Sequence, residues 1–120
     1  MAIRGQETTN SILLDEDLRA TWDERGSRCQ LRISGRITID TSPDLRDLLI
    51  KSVEANGCEV LTVGLAEVSY VDTSGVAILL ETLKVARTRG KTLRLSGLRE
   101  RLRYLLEVTR LLPLFDEAVL

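Results

Sequence analysis

Alternation of apolar and polar residues predicts the first strands of this chain. Residues 18–22 and 29–33 alternate in the way that is typical of half-buried strands. The polar, glycine-containing turn at 23–27 joins them, which predicts an antiparallel hairpin near the N-terminus. Residues 58–65 contain a continuous apolar run and predict a buried strand, and residues 92–96 predict a further one.

Apolar residues spaced three or four positions apart predict a helix after each of the later strands. Ser42 before Pro43 predicts the start of the first helix, with Ser42 as its cap, and residues 56–57 (Asn-Gly) predict its end. The second helix is predicted from Asp72 and its neighbours to about residue 88, and the third follows Gly97. Strands that alternate with helices after a hairpin indicate an α/β domain with a mixed sheet. We expect four to five strands and about four helices.

The length of 120 residues predicts one domain. Residues 1–11 are polar and without periodicity, so we expect a mobile N-terminal segment there and the folded domain over 12–120. No apolar run approaches the ~18 residues of a membrane-spanning helix, and the N-terminus lacks a signal-peptide pattern. We therefore expect a cytoplasmic protein without a transmembrane segment.

An acidic residue and two hydroxyl residues lie where the buried strand leads into the second helix. Asp72, Thr73 and Ser74 are residues that satisfy the unpaired N–H groups of a helix start. We interpret Gly75 as a residue that keeps this end open to an approaching group. The result is a hydroxyl-bearing helix N-terminus, which suits a negative charge. The four residues alone are also typical of a plain helix cap.

The sequence around these residues resembles a known family signature. Residues 65–76 read Leu-Ala-Glu-Val-Ser-Tyr-Val-Asp-Thr-Ser-Gly-Val. They are similar to the signature of STAS domains, the family of bacterial anti-sigma factor antagonists, which carries Asp-Ser/Thr-Ser/Thr-Gly at this point. The resemblance extends from about residue 18 to 120, including the short Phe-containing ending. It implies a single STAS-type α/β domain.

The resemblance implies a function by partner switching. In such proteins the hydroxyl residue directly after the motif Asp is phosphorylated by a serine kinase that is also the anti-sigma factor. By position this residue is Thr73, with Ser74 as the second choice. The unmodified protein binds the kinase, the phosphorylated protein releases it, and a serine phosphatase reverses the change. The residues expected to contact the partner are Asp72, Thr73, Ser74 and Gly75 in the motif and Thr38 and Asp40 in the loop before the first helix.

Two positions depart from the family pattern. Thr38 and Gly64 stand where relatives often have Asp, which we interpret as a loss of acidic groups near the site. Whether Asp40 compensates is left open by the sequence.

The sequence allows two alternative functions to be compared with partner switching. In one, the chain resembles the STAS subunits of ABC transporters that move phospholipid, which carry Asp-Thr-x-Gly and bind the ATPase subunit through this helix. Thr73 is then a contact and a cap that is never phosphorylated. In the other, Asp72 is the acceptor of a phosphoryl receiver. Receivers need an acidic pair after the first core strand for Mg²⁺, and residues 33–36 contain no carboxylate.

The composition excludes many kinds of catalytic site. There is no histidine, so Ser-His-Asp and Cys-His sites are absent and no ordinary zinc hydrolase site is expected. No glycine-rich phosphate loop is present. We expect no enzyme, no cofactor and no metal. Cys29 and Cys58 lack the spacing of a metal motif, and we expect them to be reduced core residues.

Charge is distributed unevenly along the chain. Residues 84–110 contain nine basic residues and two acidic ones. This excess indicates an acidic partner, a phosphate or an anionic membrane surface, or simply the solvated faces of helices and a strand. Nucleic acid is not expected as a direct partner because only 3% of the residues are aromatic and stacking platforms are scarce. Self-association is left open.

Overall fold

The computed structural model describes residues 8–118, with side chains from Asn10 to Phe115. Strands and helices follow in the order β1 (Thr8–Asp15), β2 (Leu18–Arg25), β3 (Arg28–Ile37), α1 (Ser42–Glu54), β4 (Val60–Val71), α2 (Thr73–Thr88), β5 (Thr92–Ser96), α3 (Glu100–Val108), a 3₁₀ turn (Leu112–Leu114) and β6 (Asp116–Ala118).

The strands form one mixed sheet in the order β1-β2-β3-β4-β5-β6. β1, β2 and β3 pair antiparallel, whereas β3 to β6 are parallel. Each of α1, α2 and α3 therefore crosses between neighbouring parallel strands. Because such crossovers share one hand, the three helices lie on the same face of the sheet.

Burial along β3 shows the two faces of the sheet. Cys29, Leu31 and Ile33 point to the helices and are buried, while Arg28 and Arg32 point to the other face and are exposed. The core lies between the sheet and the helices, and a fully buried leucine there contributes about 1.5–3 kcal/mol. Side chains with no exposed surface are Ala20, Leu31, Leu49, Val63, Thr82, Leu95 and Leu106.

The predicted α/β architecture with an N-terminal hairpin and a mixed sheet is confirmed. The described chain has six strands because β1 and the three-residue β6 each extend one edge of the sheet. Residues 8–11, which were expected to end the mobile segment, belong to β1 and pair with β2. The remainder of that predicted segment, residues 1–7, lies outside the described residues. The described residues form three α-helices and one 3₁₀ turn, close to the predicted number of about four helices.

Helix α1 starts as predicted but with a different cap. Thr41 is the N-cap and Ser42 is the first helical residue, with Pro43 in the first turn. The Ser42 N–H donates to the Thr38 carbonyl at 2.8 Å. The prediction that Ser42 caps the helix is therefore wrong, because Ser42 is inside the helix and its hydroxyl donates to the Ile39 carbonyl at 3.4 Å.

The two cysteines are buried, as predicted, but they are not separate thiols. The structure joins Cys29 of β3 to Cys58, which precedes β4, in a disulfide with Cα atoms 5.9 Å apart. The expectation of two reduced cysteines is therefore wrong. The contact arises because β3 and β4 are neighbours in the sheet, with Cys29 opposite Leu61.

Part of the basic excess in residues 84–110 binds other parts of the fold. Lys91 Nζ donates to the carbonyls of Val53 at 2.6 Å and Ala55 at 2.7 Å, where helix α1 ends. A cation is favourable there because the last carbonyls of a helix lack partners. Arg89 forms an exposed ion pair with Glu54 at 2.9 Å.

Candidate functional site

The parallel pairing of β3 and β4 brings two loops together. Both strands end at the same edge of the sheet, so the loop after Ile37 lies beside the junction between β4 and α2. The Asp72 N–H donates to the Ile37 carbonyl at 3.2 Å, which extends the pairing to the last residue before α2.

Asp72 is the N-cap of α2 and connects the two loops. One carboxylate oxygen, Oδ1, accepts the Ser74 N–H at 2.9 Å and also the Ser74 hydroxyl. The other, Oδ2, accepts the N–H of Ile39 at 3.2 Å. The hydrogen bond from the Ser74 side chain is the main reason that the pKa of Asp72 lies below its ordinary value, with the N–H groups of Ser74, Ile39 and Gly75 adding to it against partial burial. Asp72 is therefore held as a carboxylate.

The two hydroxyl residues after Asp72 differ in access. Thr73 is the first residue of α2 and is exposed. Among the described residues, none forms a hydrogen bond with its hydroxyl. Ser74 is half-buried, and its hydroxyl donates to Asp72. The geometry therefore presents the Thr73 oxygen, rather than that of Ser74, to an incoming molecule.

Gly75 has a packing role. It is buried, and a Cβ atom at this position would lie 2.5 Å from Val71 Cγ2 and 3.1 Å from Ile37 Cγ2. Its N–H donates to the Asp72 carbonyl at 3.0 Å. The interpretation that Gly75 leaves the helix end open is wrong, because the glycine allows α2 to approach the ends of β3 and β4.

The loop before α1 presents Asp40 rather than Thr38. The Thr38 N–H donates to Thr41 Oγ1 at 2.9 Å, and the Thr38 hydroxyl accepts the Asp40 N–H at 3.2 Å. These bonds make Thr38 a part of the turn that starts α1. Asp40 is exposed.

Comparison with known proteins identifies the family. A family model described as "Mlab, STAS domain" matches residues 20–114. The chain belongs to the STAS domain family. It is similar to the anti-sigma-B factor antagonist of Bacillus subtilis (strain 168), with 34% identity over 87 residues that cover 72% of this chain and 78% of the relative.

Solved structures share this fold. An anti-sigma factor antagonist from Mycobacterium paratuberculosis gives a TM-score of 0.77 at 18% identity, covering 90% of this chain and 92% of that one. The Bacillus cell fate determinant SpoIIAA in its phosphorylated form gives a TM-score of 0.63 at 12% identity, covering 93% and 92% of the two chains. The predicted family and fold are confirmed.

This STAS domain carries two exposed apolar side chains where β3 and β4 end that the sequence patterns did not single out. Ile39 is 73% exposed, and its N–H is the one that binds Asp72. Tyr70 is 39% exposed and lies under the Arg36 guanidinium, with 4.5 Å from the guanidinium carbon to the ring centroid. The sequence does show that Ile39 is an apolar residue between the polar loop residues Thr38 and Asp40, and this could have marked it as an exposed contact residue. Its position next to Asp72 depends on the β3–β4 register, which the sequence does not state.

Gly64, by contrast, lies far from the site of this STAS domain. It is in the middle of β4, opposite Arg32 and close to Ser96. Val71 is seven positions further along the strand, or about 20 Å when extended. The interpretation that Gly64 removes an acidic group near the site is therefore wrong.

Residues 8–118 contain neither a metal-binding cluster nor a membrane-spanning helix. No group of three or more Cys, Asp or Glu side chains in this range is placed to hold a metal ion. None of the helices in the same range has the length and apolar character needed to cross a membrane.

Proposed function

We propose that this STAS domain is an anti-sigma factor antagonist that acts by partner switching. In the unmodified state it binds an anti-sigma factor that is also a serine kinase, and phosphorylation of Thr73 releases that partner. A serine phosphatase restores the binding state. The observation that carries the proposal is the exposed Thr73 hydroxyl at the first position of α2, directly after the tethered Asp72.

The proposed switch is a regulatory domain of a cytoplasmic protein. The folded domain includes β1 from Thr8 onward, acts in the cytoplasm, and is regulatory rather than catalytic. The support comes from relatives named anti-sigma-B factor antagonist, at 34% identity in Bacillus subtilis. A neighbour of the same fold has been solved in a phosphorylated form, which agrees with a phosphate on this kind of domain.

The partner surface surrounds Thr73. Asp72, Ser74 and Asp40 supply polar groups, and Ile39 and Tyr70 supply apolar contact area. We propose Ile39 as the main apolar anchor because it is the most exposed of the large apolar side chains in the described range, at 73%. Thr38 supports this surface by forming the turn before α1, and Gly75 supports it by allowing α2 to pack against the strands. Both affect partner binding mainly by positioning the residues next to them.

A phosphate on Thr73 acts at the interface. It adds about 1.5–2 negative charges, and the helix N-terminus favours such a charge by about 0.3–1 kcal/mol when exposed. Asp72 repels it, so the net effect within the domain is small. A partner that packs against Ile39 and a neutral hydroxyl must instead desolvate a dianion, which is costly without a new cationic partner.

A second candidate is the STAS subunit of a phospholipid-transporting ABC system. Residues 72–75 also fit the Asp-Thr-x-Gly pattern that this branch carries. In this case the ATPase binds the same start of α2, and Thr73 is a contact that is not phosphorylated.

Mapping of phosphate on the protein from its own cells separates the two functions. The switch predicts one phosphate on Thr73, retained in Ser74→Ala and lost in Thr73→Ala. Binding of the cognate anti-sigma factor is then measured by calorimetry for Thr73→Glu and for Thr73→Gln, a neutral control of similar size. We expect Glu to weaken binding at least about tenfold, or ~1.4 kcal/mol, and Gln to change it much less.

Two results would contradict the switch. One is the absence of phosphate on Thr73 under every growth condition. The other is equal affinity of Thr73→Glu and Thr73→Gln for the partner. Capture of an ABC transporter ATPase by unphosphorylated protein would then favour the second candidate.

A further inference from the structure

A cleft of about 650 Å³ lies between the end of β4 and the start of α3. Val68 and Ser69 form one wall, and residues 98–101 together with Arg103 form the other. Its volume is within the range of small-molecule sites, about 300–1,000 Å³, and much exceeds that of a single ion. None of the motif residues 72–75 lines it.

Two arginines of the cleft are anchored to the backbone of β4. Arg99 Nη1 donates to the Ala66 carbonyl at 3.2 Å, and Arg101 Nε donates to the Val71 carbonyl at 3.4 Å. A guanidinium has five N–H donors in a planar fork. Each of these bonds uses one donor, which leaves the other donors of each arginine for a ligand. The anchors hold both forks at the cleft before any ligand arrives, which lowers the ordering cost of binding.

The charge of the cleft favours a dianion. Three arginines and one glutamate line it, and since Arg103 has an interaction of its own, Arg99 and Arg101 are the arginines assigned to a ligand. The start of α3 adds to this potential, since Arg99 is its N-cap and makes no side-chain capping bond. A phosphomonoester carries about 1.5–2 negative charges at pH 7, and its oxygens match the arginine fork.

The other lining residues suit the uncharged part of such a ligand. Val68 is buried and Leu98 half-buried, and both offer apolar surface. The Ser69 hydroxyl donates to the Gly35 carbonyl at 3.2 Å, so its oxygen remains able to accept a hydrogen bond from a ligand hydroxyl.

We propose that the cleft between β4 and α3 binds a small phosphorylated molecule, with Arg99 and Arg101 holding its phosphomonoester group. This site adjoins the proposed switch, since Arg101 bonds to Val71 next to Asp72, but it uses neither the Thr73 hydroxyl nor the Ile39 side chain. Binding therefore persists in Thr73→Ala, whether or not the switch exists.

Amide chemical-shift titration of the whole protein tests the proposal. The probes are inorganic phosphate and ribose 5-phosphate, with ribose and sodium chloride as controls for the sugar and for ionic strength. We expect both phosphates to shift the amides of Ser69 and residues 98–103 with saturation, and ribose and chloride not to. Tighter binding of ribose 5-phosphate than of phosphate would show that lining residues other than the arginines take part, and equal binding would show that the cleft recognises the phosphate group alone.

Charge-removing variants locate the site. Arg99→Gln and Arg101→Gln should each weaken phosphate binding about tenfold, as expected for the loss of a hydrogen bond to a charged group. The matched control is Arg28→Gln, which removes an exposed arginine from the helix-free face of the sheet. It should leave binding unchanged, and thermal unfolding of all three variants checks that they fold.

Other outcomes would overturn the proposal. Shifts that follow ionic strength, or an equal loss in all three variants, would indicate diffuse attraction to a basic surface. Saturable shifts by a phosphopeptide without any by the two small phosphates would assign the cleft to a protein ligand instead.

Discussion

At the scale of single residues, Asp72 joins the parts of the site. Its carboxylate accepts hydrogen bonds from the backbone of Ser74, in the first turn of α2, and of Ile39, in the loop before α1. An N-cap residue ordinarily serves only its own helix. Here the same carboxylate also fixes the loop before α1, so Asp72 positions Thr73 and Ile39 relative to each other.

The bonds of Asp72 make its contribution to stability depend on pH. Hydrogen bonds lower its folded pKa below the ordinary value of 3.8. A carboxylate of this kind stabilises the fold above its unfolded pKa, and that stabilisation is lost as the pH falls through the folded pKa. We expect Asp72→Ala to lower the free energy of unfolding by about 1 kcal/mol at pH 7, the usual cost of a lost N-cap, and by less at pH 3.

Urea unfolding of both proteins at the two pH values measures this difference. Other titrating groups are common to the two proteins and largely cancel. Asp72→Asn is the control, since its single amide oxygen still accepts the Ser74 N–H, although not also that of Ile39, and its side chain does not titrate. A gap between wild type and Asp72→Ala that stays constant from pH 7 to pH 3 would contradict the role of the ionised form.

At the scale of secondary-structure elements, Gly75 sets the distance between α2 and the strands beneath it. Its missing side chain leaves room for Val71 of β4 and Ile37 of β3. Both neighbours are β-branched and stiff, so they cannot move aside easily. We expect Gly75→Ala to lower the free energy of unfolding by about 1–3 kcal/mol through overpacking, despite the better helix propensity of alanine.

A double-mutant cycle with Val71→Ala tests this cause. Removing the Val71 methyl groups makes room for the new Cβ, so the two substitutions together should cost less than the sum of their separate effects. The expected coupling is about 1 kcal/mol, measured by urea unfolding. Strictly additive effects would show that the alanine is tolerated without contact with Val71.

The elements differ in how far local sequence predicts them. Helix α2 has a motif at its start and an apolar stripe, and β5 agrees with its predicted residues 92–96. β1 was not predicted because its apolar residues 12–14 are consecutive and show no alternation. β4 continues to Val71, past the predicted end at 65, because its pairing with β3 shifts register beyond Gly64. A register shift interrupts the period on which a strand prediction depends.

At the scale of the whole molecule, the candidate site depends on contacts that are distant in sequence. The motif located Asp72 and Thr73, and the family resemblance added the loop with Asp40. The proximity of Ile39 to Asp72 follows from the pairing of Ile37 with Val71. The bond between Cys29 and Cys58 follows from the same two neighbouring strands. Such pairings are set by strand order and register, which residue patterns within one element do not specify.

Thr73 lies on the surface, at the first position of α2. We predict that its phosphorylation leaves the fold unchanged. Its side chain points to solvent, while Asp72 and Gly75 hold the start of α2 through bonds and packing that do not use the Thr73 hydroxyl. The helix N-terminus favours the phosphate and Asp72 opposes it. We therefore expect phosphothreonine at position 73 to change the free energy of unfolding by less than about 1 kcal/mol.

Phosphothreonine at this position can be introduced by chemical ligation and compared with the unmodified protein. Amide shifts should change in residues 37–40 and 70–76 and stay the same in β5 and α3, and urea unfolding gives the stability. Thr73→Val is the control for loss of the hydroxyl without added charge. Shift changes that reach β5 or α3 would mean that the phosphate rearranges the sheet and its helices, and release of the partner would then follow from a change of conformation instead of a change of charge at an otherwise fixed surface.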